Sequence, residues 1–587
     1  MRFVVTLRDG RAAGTETEAL IDADPDADLA TLMPHLLPAL DDDTDPARAS
    51  QVKVWVDGVS VKPAELTLRS AGIRPGSVIE LHAREEQPAL ALSGVAELRV
   101  VNGPGAGRVH RLGLGRTIIG HEAPGLSLPD THLAADALTV IARPGGAVEV
   151  DPAAGTSAFI DGVELSGTLA WPIGGYLTVG ETVLELATVS EPDGDTREIT
   201  GALGLQVIRH PRANRTRPAP HFVLPARPTP TRTGAGRDHR RQLAQWRQDR
   251  ASARAEVLQT LARETRERRD ATPDPAMTLL TAVGPSRRLW ERLPLEDDWL
   301  QLRLGLVAQP PRTVIDDLDA ATPVRGGRWH SATPEPLPVL LPDVPVTLNL
   351  QAVGLLGIVG QASTAQATAR WLLAQCATFH SPQELRIAVL TAHDYAARRR
   401  WEWVSRLPHA RPDEASGVTV LIGNDRESIE HRLAELGALL TERTRERLPG
   451  GTPISSSPEV VVVLDGVERL SSADGVASLM AHGPAAGVHL ICLDAEQSAL
   501  PEQCRAVVTC TPGRLTFRRT ESPALDGIRP DLVEPAWAER LSRALAPMRI
   551  DAEAPVEGES TPVGEPRAWA IGWDDVGWPA PTRPTGG

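Results

Sequence analysis

Lysine is almost missing from this chain. Lysine and arginine together number 61 in 587 residues, yet the only lysines are Lys53 and Lys62, both near the N-terminus. No segment after Lys62 can offer an ammonium group, which excludes from most of the chain any chemistry that grips a triphosphate through lysine. Cysteine is scarce too: Cys376, Cys492, Cys504 and Cys510 all fall in the last domain. They show no C-x-x-C spacing with partner histidines, which excludes a zinc signature, and the apolar flanks of Cys376 and Cys492 read as buried thiols of a reducing cytoplasm. No apolar run approaches the roughly 18 residues a membrane span needs. The opening MRFVVTLRDG enters an alternating strand directly, so no signal peptide is read. Positive charge is in deficit as well, with a net charge of −15 and a pI near 5.5, so bulk electrostatics give nucleic-acid binding no help.

What is present is ordinary globular material, 41% hydrophobic and 23% charged, long enough for roughly three to four domains. The stretch PVTLNLQAVGLLGIVGQASTAQATARWLL reads as strand, turn and helix of an α/β domain. The apolar run LLGIVG ends at Gly360, and Ala367, Trp371 and Leu372 follow at helical spacing. A phosphate-binding loop laid from Gly360 requires Gly, Lys and Ser/Thr at the positions held by Ala365, Gln366 and Ala367. The permissive glycine, the cation and the Mg²⁺ hydroxyl are lost together. Downstream, PEVVVVLDG reads as a doubly covered parallel strand. It ends at Asp465, where a Walker B carboxylate would hold Mg²⁺, and Gly466 stands where an ATPase places glutamate. Gly360, Gln366, Ala367 and Asp465 are therefore a vestigial nucleotide site.

Residues 1–85 run as two strands, a helix from Asp28 to Leu40, then QVKVWVDG and a final strand after a Gly-containing turn. This order resembles a ubiquitin-like β-grasp. Residues 92–190 give short strands at regular intervals, ELRVVNG through YLTVGETVLELA, and resemble a forkhead-associated (FHA) sandwich. In that family an Arg, a Ser with a His, and an Asn hold phosphothreonine. Here His121 follows Gly120, the Ser and His positions fall on Ala134 and Ala137, and the Asn position on Thr156. A dianionic phosphate needs charge-assisted donors, so His121, Ala134 and Thr156 mark a vestigial phosphopeptide site. Arg116 is the one nearby cation.

Residues 200–236 are a Pro/Arg-rich linker without periodicity. A polar helix of roughly 30 residues follows, with Leu243, Trp246, Val257 and Leu261 in one narrow stripe; it would project about 45 Å and opens a helical stalk over 237–310. Residues 335–550 are the α/β domain and 551–587 a disordered tail.

RLWER, WLQLRLG, LLGIVG, LAQCATFHSPQELRIAVLT, WEWVSRLPHA and VVVVLDG, in that order, resemble the FtsK/SpoIIIE-type ATPases of type VII (ESX-like) secretion. The resemblance covers nearly the whole chain. It implies the stalk and the degenerate first ATPase-like domain of that family, where ubiquitin-like or FHA domains also occur N-terminally. The family's two transmembrane helices and intact ATPase modules have no counterpart in the sequence, and whether this is a natural short form or a shortened one is left open.

The expected architecture is multidomain: β-grasp (α+β), FHA-type β-sandwich, helical stalk, and a P-loop-NTPase-like α/β domain with a mostly parallel sheet. The expected function is a non-catalytic scaffold or regulatory component of a type VII-like secretion apparatus. It would act through protein contacts in the cytoplasm, at the membrane only through partners, with self-association left open. No catalytic residue, metal ligand or cofactor is expected, and nucleic acid is not an expected partner. His380 and His409 read as structural turns, and Trp401 and Trp403 as core. Two other readings stay open: an ATP-dependent DNA or protein translocase with an unorthodox nucleotide site, and an FHA phosphothreonine-binding adaptor.

Overall fold

The computed structural model describes residues 2–10, 16–24, 26–40, 52–57, 59–82, 95–199, 204–210, 219–228, 237–317, 337, 340–391, 395–411, 420–446, 458–520, 522–550 and 567–570. At the N-terminus the strand Arg2–Asp9 pairs antiparallel with Glu16–Asp22 and parallel with Val78–Leu81. The latter pairs with Val54–Val56, which forms a hairpin with Val59–Val61. Across this sheet lies the helix Leu29–Leu36, whose Leu29, Leu32, Met33 and Leu36 are buried at helical spacing against Phe3, Val5 and Leu7.

The next domain packs two sheets face to face. Ala96–Pro104, Val109–Leu112, Ala158–Ile160, Val163–Glu164, Tyr176–Val179 and Thr182–Ala187 make one. Gly115–Gly120, Leu126–Ser127, Leu138–Ala142, Val148–Pro152 and Leu169–Ala170 make the other. Alternation puts Leu138, Val140 and Ala142 inward, against Leu98, Leu177 and Leu184 of the facing sheet.

In the C-terminal domain the parallel strands lie in the order Ala506–Thr511, Leu355–Gly360, Val488–Leu493, Glu459–Asp465, Leu385–Thr391 and Ile422–Gly423. The helix Ala362–Phe379 is buried along nearly its whole length, with Trp371 at its centre. Beyond Thr511 the sheet continues antiparallel through Arg514–Arg519, Ser522–Leu532, Gln301–Gln309 and Leu341–Asn349.

Several expectations about the middle of the chain are corrected. The stretch ending in WLQLRLGL is not stalk beyond Ala271. It holds a short helix, Pro275–Val283, packed into the main core, and then the sheet strand Gln301–Gln309, with Leu302, Leu304 and Leu306 buried at period two. The helix itself runs Arg237–Ala271, 35 residues or about 52 Å. It does not project as a free stalk, because its stripe packs inward: Val257 and Leu261 are buried with Leu224, Leu341 and Val344, and Trp246 donates to the Pro225 carbonyl at 2.9 Å.

The linker is likewise pinned where it is described. Leu205–Val207 pairs parallel with Met548–Ile550, and His221–Val223 with Val314–Asp316. Arg209 reaches Glu384 with two bonds of 2.8 and 2.7 Å and the Trp290 and Arg292 carbonyls with two more. Proline removes donors but leaves carbonyls, so a proline-rich segment can be stitched down wherever a few non-proline residues pair. Within the segment expected to be a disordered tail, Arg567–Ala570 is a strand on the edge of the N-terminal sheet. The remaining parts of 200–236 and 551–587 lie outside the described residues.

One cluster welds the sandwich to the α/β domain. Sandwich strand Ala96–Pro104 pairs parallel with Ser522–Leu532 through Gly103 and Pro104. Beside that junction Arg303 donates to Asp531 at 2.8 and 3.2 Å, to the Val101 carbonyl at 3.0 Å and to the Thr272 carbonyl at 3.3 Å. Asn102 adds a 2.7 Å bond to the same carboxylate. Arg303, Asp531 and Asn102 are all buried.

Candidate functional site

In an open parallel sheet, ligands bind outside the carboxyl ends of the strands, where the chain switches direction across the sheet. The strand ending at Gly360 has that position, between Val488–Leu493 and Ala506–Thr511. No phosphate loop is built there. The strand ends at Gly360 and the helix begins at Ala362, so Gln361 alone connects them. Ala365, Gln366 and Ala367, aligned above with a loop, lie a full turn inside the helix, and Ala365 and Ala367 are buried. The amides at the connection are committed to protein: Gly360 N donates to the Ala495 carbonyl at 3.1 Å and Gln361 N to the Cys510 carbonyl at 2.9 Å. Gly360 adopts φ +105°, and a Cβ there would stand 2.2 Å from the Cys510 oxygen, so its glycine serves strand packing and not phosphate approach.

Asp465 ends its strand two positions across the sheet, with the Val488–Leu493 strand between it and Gly360. Its Oδ2 accepts from Arg400 Nη1 at 2.5 Å, Trp401 Nε1 at 2.8 Å and Thr391 Oγ1 at 3.5 Å. A guanidinium and an indole thus hold the oxygen that a hydrated Mg²⁺ would need. Gly466 sits at φ +83° in the left-handed region, where a glutamate would be strained. Nearby, burial pushes the Arg370 guanidinium down to about 10, with Arg400 adding repulsion, and Arg370 donates to the Val533 carbonyl at 2.7 Å. The residues present do not fit a Mg²⁺-nucleotide. Among the described residues no group of His, Cys, Asp and Glu is placed to hold a metal ion.

Sequence reasoning missed Arg400, although the run ARRRW beside the WEWV anchor was its visible signal. Trp401 and Trp403 are buried, as read, but Trp401 also serves as a donor to Asp465. Asp465→Ala is expected to leave Arg400, Trp401 and Thr391 without their shared acceptor and to cost about 1–3 kcal/mol, read as a lower melting temperature.

The FHA positions are partly assembled. His121 N donates to the Ala134 carbonyl at 2.9 Å and its Nδ1 contacts the Leu128 carbonyl at 3.3 Å, so the first two motif loops do meet. The loop of Thr156 is tethered beside them, since Ala153 N donates to the Ala137 carbonyl. Arg116 donates to Thr139 Oγ1 at 3.1 Å, one sheet position away. The same end of the sandwich is tied to the α/β domain. Arg108 donates to the Ser127 carbonyl and grips Glu534 at 2.9 and 3.1 Å, and Glu181 is paired with Arg514. Buried Asp130, another residue the sequence reading passed over, fixes the loop by accepting from Glu181 N, Thr182 Oγ1 and His132 N.

No protein-family model matches the chain. Among characterised proteins it is 28% identical over 321 residues to the ESX secretion system protein EccC of Thermomonospora curvata. That alignment covers 51% of this chain and 22% of the relative. The chain is similar in sequence to EccC proteins. It is also 31% identical over 204 residues to EccC3 of the Mycobacterium tuberculosis ESX-3 system, covering 33% of this chain and 14% of that one. It therefore spans well under a third of the length of these EccC proteins. Among solved structures, the cytoplasmic domain of the T. curvata type VII secretion ATPase EccC is 17% identical, with 44% of this chain and 32% of that chain covered and a TM-score of 0.31. An FHA domain studied for phosphothreonine-dependent interactions is 19% identical, covering 16% of this chain and 95% of that chain at a TM-score of 0.15. Likenesses at those scores decide nothing about the fold. Among the described residues no helix is long and apolar enough to cross a membrane.

Proposed function

We propose that this EccC relative is a docking component of a type VII secretion apparatus whose α/β domain is silent toward nucleotide. The observation that carries the reading is Asp465, whose carboxylate is taken up by Arg400 and Trp401. The one-residue connection after Gly360 and the absence of any lysine beyond Lys62 support it. In this reading the N-terminal domain is a β-grasp and the second an FHA-type sandwich that does not read phosphothreonine. The helix Arg237–Ala271 is what the stalk becomes when it is laid against the body. Partners are proteins of the secretion apparatus, and the chain works in the cytoplasm, reaching the inner face of the membrane through them.

The test is affinity purification of the tagged chain from its own bacterium. The reading expects a type VII secretion ATPase to copurify equally before and after ATP depletion. Failure to copurify, or dependence on ATP, contradicts it. The FHA reading is checked separately: phosphothreonine peptides should bind no better than their unphosphorylated forms in a fluorescence-anisotropy titration, because the imidazole of His121 stands where the family has a guanidinium, and alanines replace its serine and histidine donors.

A further inference from the structure

The strands Val488–Leu493 and Ala506–Thr511 flank Leu355–Gly360, each parallel to it, so residues 494–505 must carry the chain from one end of the sheet back to the other. This crossover packs on the face of the sheet that Leu355, Leu490 and Cys492 share. It comes in close because of Gly357, which lies opposite Cys492 in register: a Cβ there would stand 2.4 Å from Leu500 Cδ1. Leu500 and Cys504 both pack against the core that holds Cys492. At the end of the crossover Cys504 N donates to the Pro501 carbonyl at 3.1 Å, closing a turn in which Glu502, Gln503 and Arg505 are exposed.

Two thiols meet there. Cys492 is fully buried, Cys504 is part-exposed, and the Cys492 S–H donates to the Cys504 sulfur. That bond divides their chemistry. It pushes the Cys492 thiol well up, with burial adding to the shift, and it draws the Cys504 thiol down against the burial that opposes it. The other two cysteines belong to the core on the opposite face of the sheet, where Cys510 is bonded to Thr368 and Cys376 lies inside the helix Ala362–Phe379. Burial pushes both up to about 12.

We propose that Cys504 and Cys492 form a reversible disulfide on exposure to a hydroperoxide, with Cys504 as the attacking sulfur and Cys492 as the resolving thiol. A part-exposed thiolate beside a second thiol is the arrangement that reacts this way. The Cys504 thiolate attacks the terminal oxygen of the peroxide; the O–O bond breaks, the departing oxyanion takes a proton from solvent, and a sulfenic acid remains. The Cys492 sulfur then attacks that sulfur: the S–S bond forms, the S–O bond breaks, and the hydroxide leaves with the Cys492 proton as water. Two electrons pass from the thiols to the peroxide, and a small-molecule thiol returns the pair to its reduced form. The disulfide ties the crossover to a central strand. Ala495, in the same crossover, accepts from Gly360 N at 3.1 Å, so the lock also bears on the connection that follows Gly360. The proposal does not depend on whether the α/β domain binds nucleotide.

The experiment treats the full chain with hydrogen peroxide, alkylates the remaining thiols in denaturant, and digests after glutamate, which cuts between the two cysteines at Glu496. The expected product is one species in which the fragments carrying Cys492 and Cys504 are joined, separated again by dithiothreitol, with Cys376 and Cys510 alkylated. Hydrogen exchange over 494–503 should be about tenfold or more slower in the oxidised protein than in the reduced one, because the bond closes a short loop. In Cys492→Ala, Cys504 has no resolving thiol and should run on to the sulfinic acid. Sulfinic acid at Cys504 of the wild type with Cys492 still free, oxidation of Cys376 or Cys510 ahead of Cys504, or an unreacted Cys504 under conditions that oxidise a free cysteine peptide would overturn the proposal.

Discussion

Asp531→Ala is expected to destabilise the protein by about 3–5 kcal/mol, because it strands the buried Arg303 guanidinium between two domains. Arg303 and Asp531 are 1% and 0% exposed. Burial pushes the Asp531 carboxyl up, and Arg303 and Asn102 pull against that shift with direct hydrogen bonds. The cluster also touches the Val101 carbonyl beside the junction where the sandwich strand joins the α/β sheet. Its loss should therefore uncouple the domains: calorimetry of the variant is expected to show a sandwich transition separated from that of the α/β domain. The double change Arg303→Met with Asp531→Leu should recover part of the loss, since no charge is left buried, while Asn102 keeps only its bond to the Arg529 carbonyl and the Val101 and Thr272 carbonyls lose the guanidinium. A single unshifted transition in Asp531→Ala would show that the weld contributes little.

Acid should weaken the α/β domain well above the pH at which its carboxylates protonate. His409 is fully buried, its Nε2 donates to the His380 carbonyl at 2.8 Å, and burial pushes it down to about 3. His380 is held well below its ordinary range by burial, with Arg292 adding repulsion; its Nε2 accepts from Leu300 N at 3.1 Å and its ring lies edge-on to Trp299. Both rings are neutral in the folded state, whereas in the unfolded chain they protonate near 6.5. Below that pH the unfolded state binds more protons, so stability falls as pH falls. Each histidine contributes a loss of about 1.4 kcal/mol per pH unit, for His409 until about pH 3. Urea midpoints measured from pH 7 down to pH 4 should drop steeply, and His409→Gln should flatten that limb by one proton's worth. A flat profile over this range would contradict the buried-neutral assignment.

How much of this was legible beforehand depended on whether the signal was local. The alternation in the sandwich strands, the helical spacing of Leu29, Leu32 and Leu36, and the run ending at Gly360 are written in neighbouring residues, and each produced its element. The lack of a phosphate-loop lysine was legible for the same reason, since a missing lysine is a fact of composition. The opaque features depend on distant partners. Arg303 and Asp531 lie 228 positions apart, and nothing around either marks it as buried. WLQLRLGL was assigned to the stalk because its bulky anchors precede it, while the sheet edge that claims it, Leu341–Asn349, comes some forty residues later. The linker failed on the same count: Leu205–Val207 finds its partner at Met548–Ile550, near the end of the described body. The Asp465 carboxylate was found, but its occupants were not, because Arg400 reads as one more surface arginine until the fold brings it to the strand end.

The most direct test of the account is a thermal titration of the full chain with ATP and Mg²⁺. A nucleotide at a hundred times its Kd stabilises a folded protein by about 2.7 kcal/mol, enough to raise the melting temperature of the α/β domain by several degrees. With Asp465 held by Arg400 and no loop after Gly360, millimolar ATP is expected to leave the melting temperature unchanged. A saturable rise that requires Mg²⁺ and disappears in Asp465→Ala would contradict the central claim.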